Sequence, residues 1–222
     1  MLRLVPEGKG RRRPLNVLCI GAHCDDIDLG CGGTLLALTR RRRANVTWVT
    51  FSGSDERQKE LRASARRFLR GAERSTVLAH QYRDGFFPAE HSAIKDDFEA
   101  LKRLPRPDLI FTHQRDEFHQ DHRVLAELTW NTFRNHLILE YEIPKYEGGL
   151  TTPELYVELS RADAERKIRI LLACYRTQRT KAWFTADALR ALLRLRGIES
   201  GGASGWAEGF HTRKLLLDWE NG

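Results

Sequence analysis

The stretch LNVLCIGAHCDDIDLGCGGTLLALTRRRR (Leu15–Arg43) decides how the chain is read. Its first part, LNVLCIG, is a short apolar run of the kind that fills a parallel strand buried on both faces. Glycines follow, and then TLLALTRRRR, whose apolar spacing predicts a helix ending in cations that complement the negative end of its dipole. Strand, Gly-rich turn and helix open many dinucleotide-binding units, in which the turn is kept free of negative charge to receive a phosphate. Here the turn carries His23, Asp25, Asp26 and Asp28. Three carboxylates would repel a pyrophosphate, and the glycines do not follow the G-x-G-x-x-G order. A nucleotide-binding protein is therefore the lesser alternative, and a cation is what this turn suits.

The alternation continues outward. ANVTWVTFSG repeats the strand pattern, ERQKELRASARRFLRGA reads as an amphipathic helix closed by Gly71, and STVLAHQYRDG gives a third strand and a turn. A helix around AIKDDFEALKRL, the strand DLIFTH and a helix over HQDHRVLAELTWNTFR come next. Beyond them LILEYEIPKYEGG and LYVELS read as strands, DAERKIRILLACYRTQ and ADALRALLRLRG as helices, ESGGASG as a loop and KLLLDW as a final strand. Strands alternating with helices imply crossover connections, so the expected fold is α/β: a Rossmann-like three-layer αβα arrangement with a mainly parallel sheet. The active site is expected at the C-terminal ends of the strands.

Composition sets the outer bounds. A chain of 222 residues suits one domain, expected over 15–222 behind a basic tail at 1–14. It is 41% hydrophobic and 30% charged, and no apolar run approaches the roughly 18–20 residues of a membrane helix. The basic N-terminus lacks the apolar core of a secretory signal, so a cytoplasmic location is expected. Cys19, Cys24, Cys31 and Cys174 then read as free thiols. The net charge of +7 mildly favours an anionic small-molecule substrate, and no nucleic-acid partner is assigned; a homo-oligomer is compatible with the sequence.

Two strand-end loops hold the unusual residues. The first supplies His23, Asp25, Asp26 and Asp28; the second, after DLIFT, supplies His113, Asp116, Glu117, His119, Asp121 and His122. Two imidazoles and a carboxylate with a fourth position left to water make an open zinc site. His23 and Asp26, three apart, can face one point while Asp25 is left for proton transfer. His119 and His122 share that spacing and read as one ligand and one catalytic histidine, with Asp121 able to orient an imidazole.

With these motifs the sequence resembles the PIG-L or LmbE-like zinc-dependent deacetylases. The likeness rests on AHCDDIDLGCGG (Ala22–Gly33), HQDH (His119–His122), RQKE (Arg57–Glu60) and, more loosely, KIRILLACYRTQ and WAEGF. It implies zinc on His23, Asp26 and His122, Asp25 as general base, and His119 assisting at the carbonyl oxygen or leaving group. Mixed nitrogen and oxygen ligation also suits Fe2+. The implied reaction is hydrolysis of an N-acetyl amide on a glucosamine-like sugar or glycoconjugate. A thiol-sugar conjugate amidase or a hydratase on the same metal site is the alternative.

Several residues carry competing readings. Cys24 stands where the family usually has Pro and reads as an inert replacement rather than an extra ligand. His113 reads as structural, and Asp28 as a helix cap or a partner of Arg57. Arg57 and Glu60 form either a surface pair or supports of the site. Glu208 and His211 can close the pocket or lie exposed. Trp48, Trp130 and Phe133 read as core, while Trp183 and Trp206 are candidates for a sugar-stacking wall.

Overall fold

Side chains alternate across the opening strand, and that alternation builds two cores. The computed structural model describes residues 13–216. In β1 (Leu15–Gly21), Val17 and Cys19 enter one hydrophobic cluster and Leu18 and Ile20 the other, so both faces are buried. Parallel partners flank it: β2 (Ala44–Ser52) on one side and β4 (Leu109–His113) on the other, with β3 (Arg74–Tyr82) beyond β2 and β5 (Leu137–Tyr141) beyond β4. The sheet is completed by β6 (Leu155–Glu158) and β7 (Ala207–His211), in the order β3-β2-β1-β4-β5-β7-β6, with β7 antiparallel to both neighbours. Helices α1 (Asp26–Arg41), α2 (Asp55–Phe68), α5 (Arg161–Cys174) and α6 (Ala186–Glu199) contribute to one core. The other core takes α3 (His91–Leu101) and α4 (Gln120–Thr132). This is the expected α/β layering with a mostly parallel sheet.

Strand order reverses between β1 and β4. The chain leaves β1 toward β2 and later returns to β1's other side, so the turns after β1 and β4 face each other across an open crevice.

The glycine-rich stretch is not a loop. Gly30, Gly32 and Gly33 lie inside α1, which starts at Asp26 rather than after the glycines. They are there because neighbours come too close for a side chain. A Cβ on Gly30 would fall 2.2 Å from Tyr141 Cδ2, one on Gly32 2.7 Å from Phe68 Cε1, and one on Gly33 2.5 Å from Leu159 Cδ1. Tight packing of α1, not phosphate recognition, accounts for them.

Two strand assignments change. Only Leu137–Tyr141 of LILEYEIPKYEGG is strand, and the remainder is an irregular segment that overhangs the crevice. Among the described residues the last strand is β7, within WAEGFH; residues 214–216 are not strand, and 217–222 lie outside the described residues, as does most of the expected 1–14 tail. Among the described residues no helix is long and apolar enough to cross a membrane.

Candidate metal centre

Asp26 organises the site. As the first residue of α1 it turns back on the β1 loop, and its Oδ2 accepts the His23 N–H at 2.7 Å. The same oxygen lies 3.3 Å from His23 Nδ1 and 3.4 Å from His122 Nε2, and those two nitrogens are 3.1 Å apart. A tetrahedral ion with bonds of about 2.0–2.1 Å requires ligand atoms about 3.3 Å from one another. The three atoms have the mutual spacing of one face of such a tetrahedron. Burial pushes the Asp26 carboxyl up, but His122, His23 and His113 outweigh it and hold the carboxyl well below the usual carboxylate range. Burial, with His113 next, pushes His122 well below an ordinary histidine, which leaves its nitrogen lone pair free.

His113 sits at the end of β4 with its Nε2 3.2 Å from Asp26 Oδ2, yet that nitrogen accepts the Ala22 N–H at 2.9 Å. It stacks on His122 with ring centroids 3.8 Å apart. A nitrogen already bonded to the backbone is a wall of the site, in keeping with a structural reading.

The outer partners differ between the two histidines. His23 Nε2 is 3.0 Å from Asp84 Oδ1 and 3.5 Å from Asp121 Oδ2. Asp121 thus faces an imidazole of the other motif, while its oxygens accept the backbone N–H groups of Gly85 at 2.7 Å and Phe87 at 3.1 Å. His122 Nδ1 is 3.3 Å from Glu117 Oε2, and that carboxylate is paired with Lys145. His119 caps α4, its Nδ1 accepting the Asp121 N–H at 3.2 Å, which puts the proton of the neutral ring on Nε2. Asp84 and Lys145 were not singled out from the sequence: one sits in YRDG, read only as a turn, and the other in a segment read as strand.

Asp25 is buried at 5% exposure beside this triangle, and Arg57 Nη2 donates to its Oδ1 at 2.6 Å. Burial raises its carboxyl above the ordinary range, and Arg57 only partly offsets this. Arg57 and Glu60 are supports of the site rather than a surface pair, because both also engage Thr177 beyond α5. Asp28 is neither a cap nor the partner of Arg57; it is buried against Ser64 and Tyr175. Cys24 turns its thiol to the Ser52 carbonyl at 3.4 Å, and burial pushes it up to about 12.

His23, Asp25, Asp26, Arg57, His119 and His122 line a cavity of about 830 Å3 that also takes in Tyr146, Lys181 and Trp183. Of the two candidate stacking residues, Trp183 is on its wall; Trp206 packs in the core beneath Arg194. Trp48, Trp130 and Phe133 are core, as expected. Glu208 does not close the pocket: it is buried against α1. His211 is held by Thr151 and Glu154.

The profile of the PIG-L family, GlcNAc-PI de-N-acetylase, matches residues 18–133, which is more than half of the chain and includes both metal-site loops. The chain belongs to the PIG-L family. Membership supports a deacetylase-like, hydrolytic function. A conserved protein from Thermus thermophilus superposes with a TM-score of 0.72 at 22% identity, over 94% of this chain and 100% of that one. The N,N'-diacetylchitobiose deacetylase from Pyrococcus horikoshii gives a TM-score of 0.67 at 22% identity, over 89% and 83% of the two chains. The 4-carboxy-2-hydroxymuconate hydratase of Pseudomonas putida gives 0.75 at 14% identity, over 94% and 100%. The likeness to these structures is one of fold. A deacetylase and a hydratase share it, so chemistry has to be argued from the site.

Proposed function

We propose that this protein is a zinc-dependent N-deacetylase that hydrolyses the N-acetyl group of an N-acetylglucosamine-like sugar or glycoconjugate. The observation that carries the reading is the triangle of His23 Nδ1, Asp26 Oδ2 and His122 Nε2, with the buried carboxylate of Asp25 beside it in the same cavity. Zinc, when bound, lowers the pKa of water toward ~7 and polarises a carbonyl. Asp25 takes the proton of the attacking water and returns it to the amine nitrogen as the C–N bond breaks. Arg57 fixes its Oδ1, and a raised pKa makes it the stronger base. His119 presents its Nε2 proton to the carbonyl oxygen as negative charge develops there, because its Nδ1 is committed to the Asp121 N–H. Trp183 offers a flat face for a sugar ring on the cavity wall.

Acetate release from a panel of N-acetyl sugars, with metal content measured on the same sample, tests the reading. The expected outcome is release with about one zinc or Fe2+ per chain, both ions suiting this donor set. Asp25→Asn should keep its metal and lose about 10²–10⁴-fold in kcat. A metal-loaded protein inert on the whole panel would shift the assignment to a thiol-sugar conjugate amidase or a hydratase, and full activity in Asp25→Asn would remove the assigned base.

A further inference from the structure

We infer that Glu117, held by Lys145, is a positioning residue that aims His122 at the metal and ties the cavity wall to it. The inference rests on the reading of His122 as a ligand. A metal-binding imidazole is fixed by what its other nitrogen donates to. For His122 that nitrogen is Nδ1, and Glu117 Oε2 stands 3.3 Å from it. Glu117 is 2% exposed, and its buried Oε2, which Lys145 also meets, has a second lone pair that can take the Nδ1 proton and leave the Nε2 lone pair toward Asp26.

Its other oxygen is occupied: Oε1 accepts the Phe118 N–H at 2.8 Å and lies 3.4 Å from the His119 nitrogen. One carboxylate therefore fixes both the ligand His122 and the backbone that carries His119. Lys145 neutralises it at the same Oε2 that faces His122, with its side chain 8% exposed and its Nζ 3.4 Å from His122 Nδ1. Lys145 comes from the segment between β5 and β6, whose next residue, Tyr146, lines the cavity and accepts the Ala182 N–H at 3.1 Å. The ion pair links that wall to the centre. Asp121, the acid inside the HQDH motif, does not perform this task for His122, since it faces His23.

Zinc affinity, measured by competition with a chromophoric chelator, separates this role from a merely structural one. Glu117→Gln keeps an acceptor but not the charge, and should bind zinc more weakly than the parent. Glu117→Leu combined with Lys145→Met removes both charges together, which spares the fold the uncompensated charge that a single removal leaves. That double variant should recover the thermal midpoint of the parent metal-free protein while its zinc affinity stays about 10–100-fold lower. The Co2+-substituted protein should show a shifted visible spectrum. Parent-like zinc affinity in the double variant, or in Glu117→Gln, overturns the inference. His122→Ala keeps the two layers apart: if it still binds zinc, the reading of the centre fails, whereas its loss of zinc alongside a tight-binding double variant sinks only the role of Glu117.

Discussion

Two buried carboxylates meet the same helix and have opposite surroundings. Glu208, 4% exposed, lies against the middle of α1 and is saturated by permanent donors: Gly33 N at 2.8 Å, Thr34 N at 2.7 Å, Thr34 Oγ1 at 2.6 Å and Lys167 Nζ at 2.6 Å. Asp26, 3% exposed at the start of α1, gathers one backbone N–H and three imidazole nitrogens at 3.2–3.4 Å from a single oxygen. Burial pushes His23 down, but Asp26, Asp121 and Asp84 outweigh it and hold it well above an ordinary histidine, so this cluster draws positive charge toward that oxygen. Burial alone therefore does not mark a functional acid. The difference lies in whether its partners are fixed donors or groups able to share a cation.

Deleting each acid should break the two regions in different ways, and this is the largest contrast expected. Glu208→Ala strips four donors of their acceptor and leaves Lys167 as an uncompensated buried charge, a cost of about 3–5 kcal/mol. That is a large share of the roughly 5–15 kcal/mol that holds a domain folded, so the variant should be poorly soluble or melt far below the parent. Asp26→Asn keeps the volume and the turn and should lose zinc while the metal-free protein melts within a few degrees of the parent metal-free form. Thermal melts in chelator, followed by zinc titration, check both. An Asp26→Asn protein that collapses like the Glu208 variant would mean both carboxylates are structural.

Gly30→Ala tests whether α1 is placed by close approach, with a middling effect. The new Cβ would meet the Tyr141 ring at 2.2 Å, and overpacking of that kind costs about 1–3 kcal/mol. Tyr141 cannot yield freely, because its hydroxyl donates to the Ile20 carbonyl at 2.6 Å and its ring sits against His113 at 4.9 Å. The melt should drop and zinc affinity should weaken with it, since the displaced ring pushes on a wall of the metal site. An unchanged melt would show that α1 has slack at this contact.

Those glycines also show where the sequence was hard to read. Helix propensity sets Gly near the bottom of the scale, and three glycines in four residues read naturally as loop. Only the neighbours Tyr141, Phe68 and Leu159, distant in sequence, make a helix of them. β1, β2 and β4, by contrast, were legible because they are buried on both faces and their apolar runs are nearly continuous. β7 was not, since AEGFH mixes Glu and Gly and is held as strand by pairing with β5 and β6. In the site, the spacing within each motif and the strand-end rule bring His23, Asp26, His119 and His122 to one place, while the choice of His122 over His119 as a ligand rests on the family resemblance. Lys145 and Asp84 sit in stretches with no such pattern, and their nearness to the histidines depends on how the connecting segments cross the crevice.

The smallest effect expected comes from Glu60, and it probes how far the active side of the comparison extends. Glu60 does not line the cavity; its oxygens accept Thr177 N at 3.0 Å and Thr177 Oγ1 at 2.6 Å, and Arg57 Nη1 donates to that hydroxyl at 3.2 Å. Arg57 Nη2 then fixes Asp25. Glu60→Gln keeps one acceptor for Thr177 and weakens the other contact, a change worth about 1 kcal/mol, or roughly fivefold in a rate if all of it reaches Asp25. Because Arg57 orients the base, the loss should fall on kcat with KM nearly unchanged. Thr34→Val, which trims the Glu208 network by one hydroxyl, should lower the melt and leave kcat alone. A rise in KM at constant kcat for Glu60→Gln would instead make Arg57 a substrate-binding cation, and the boundary between support and site would move outward by one residue.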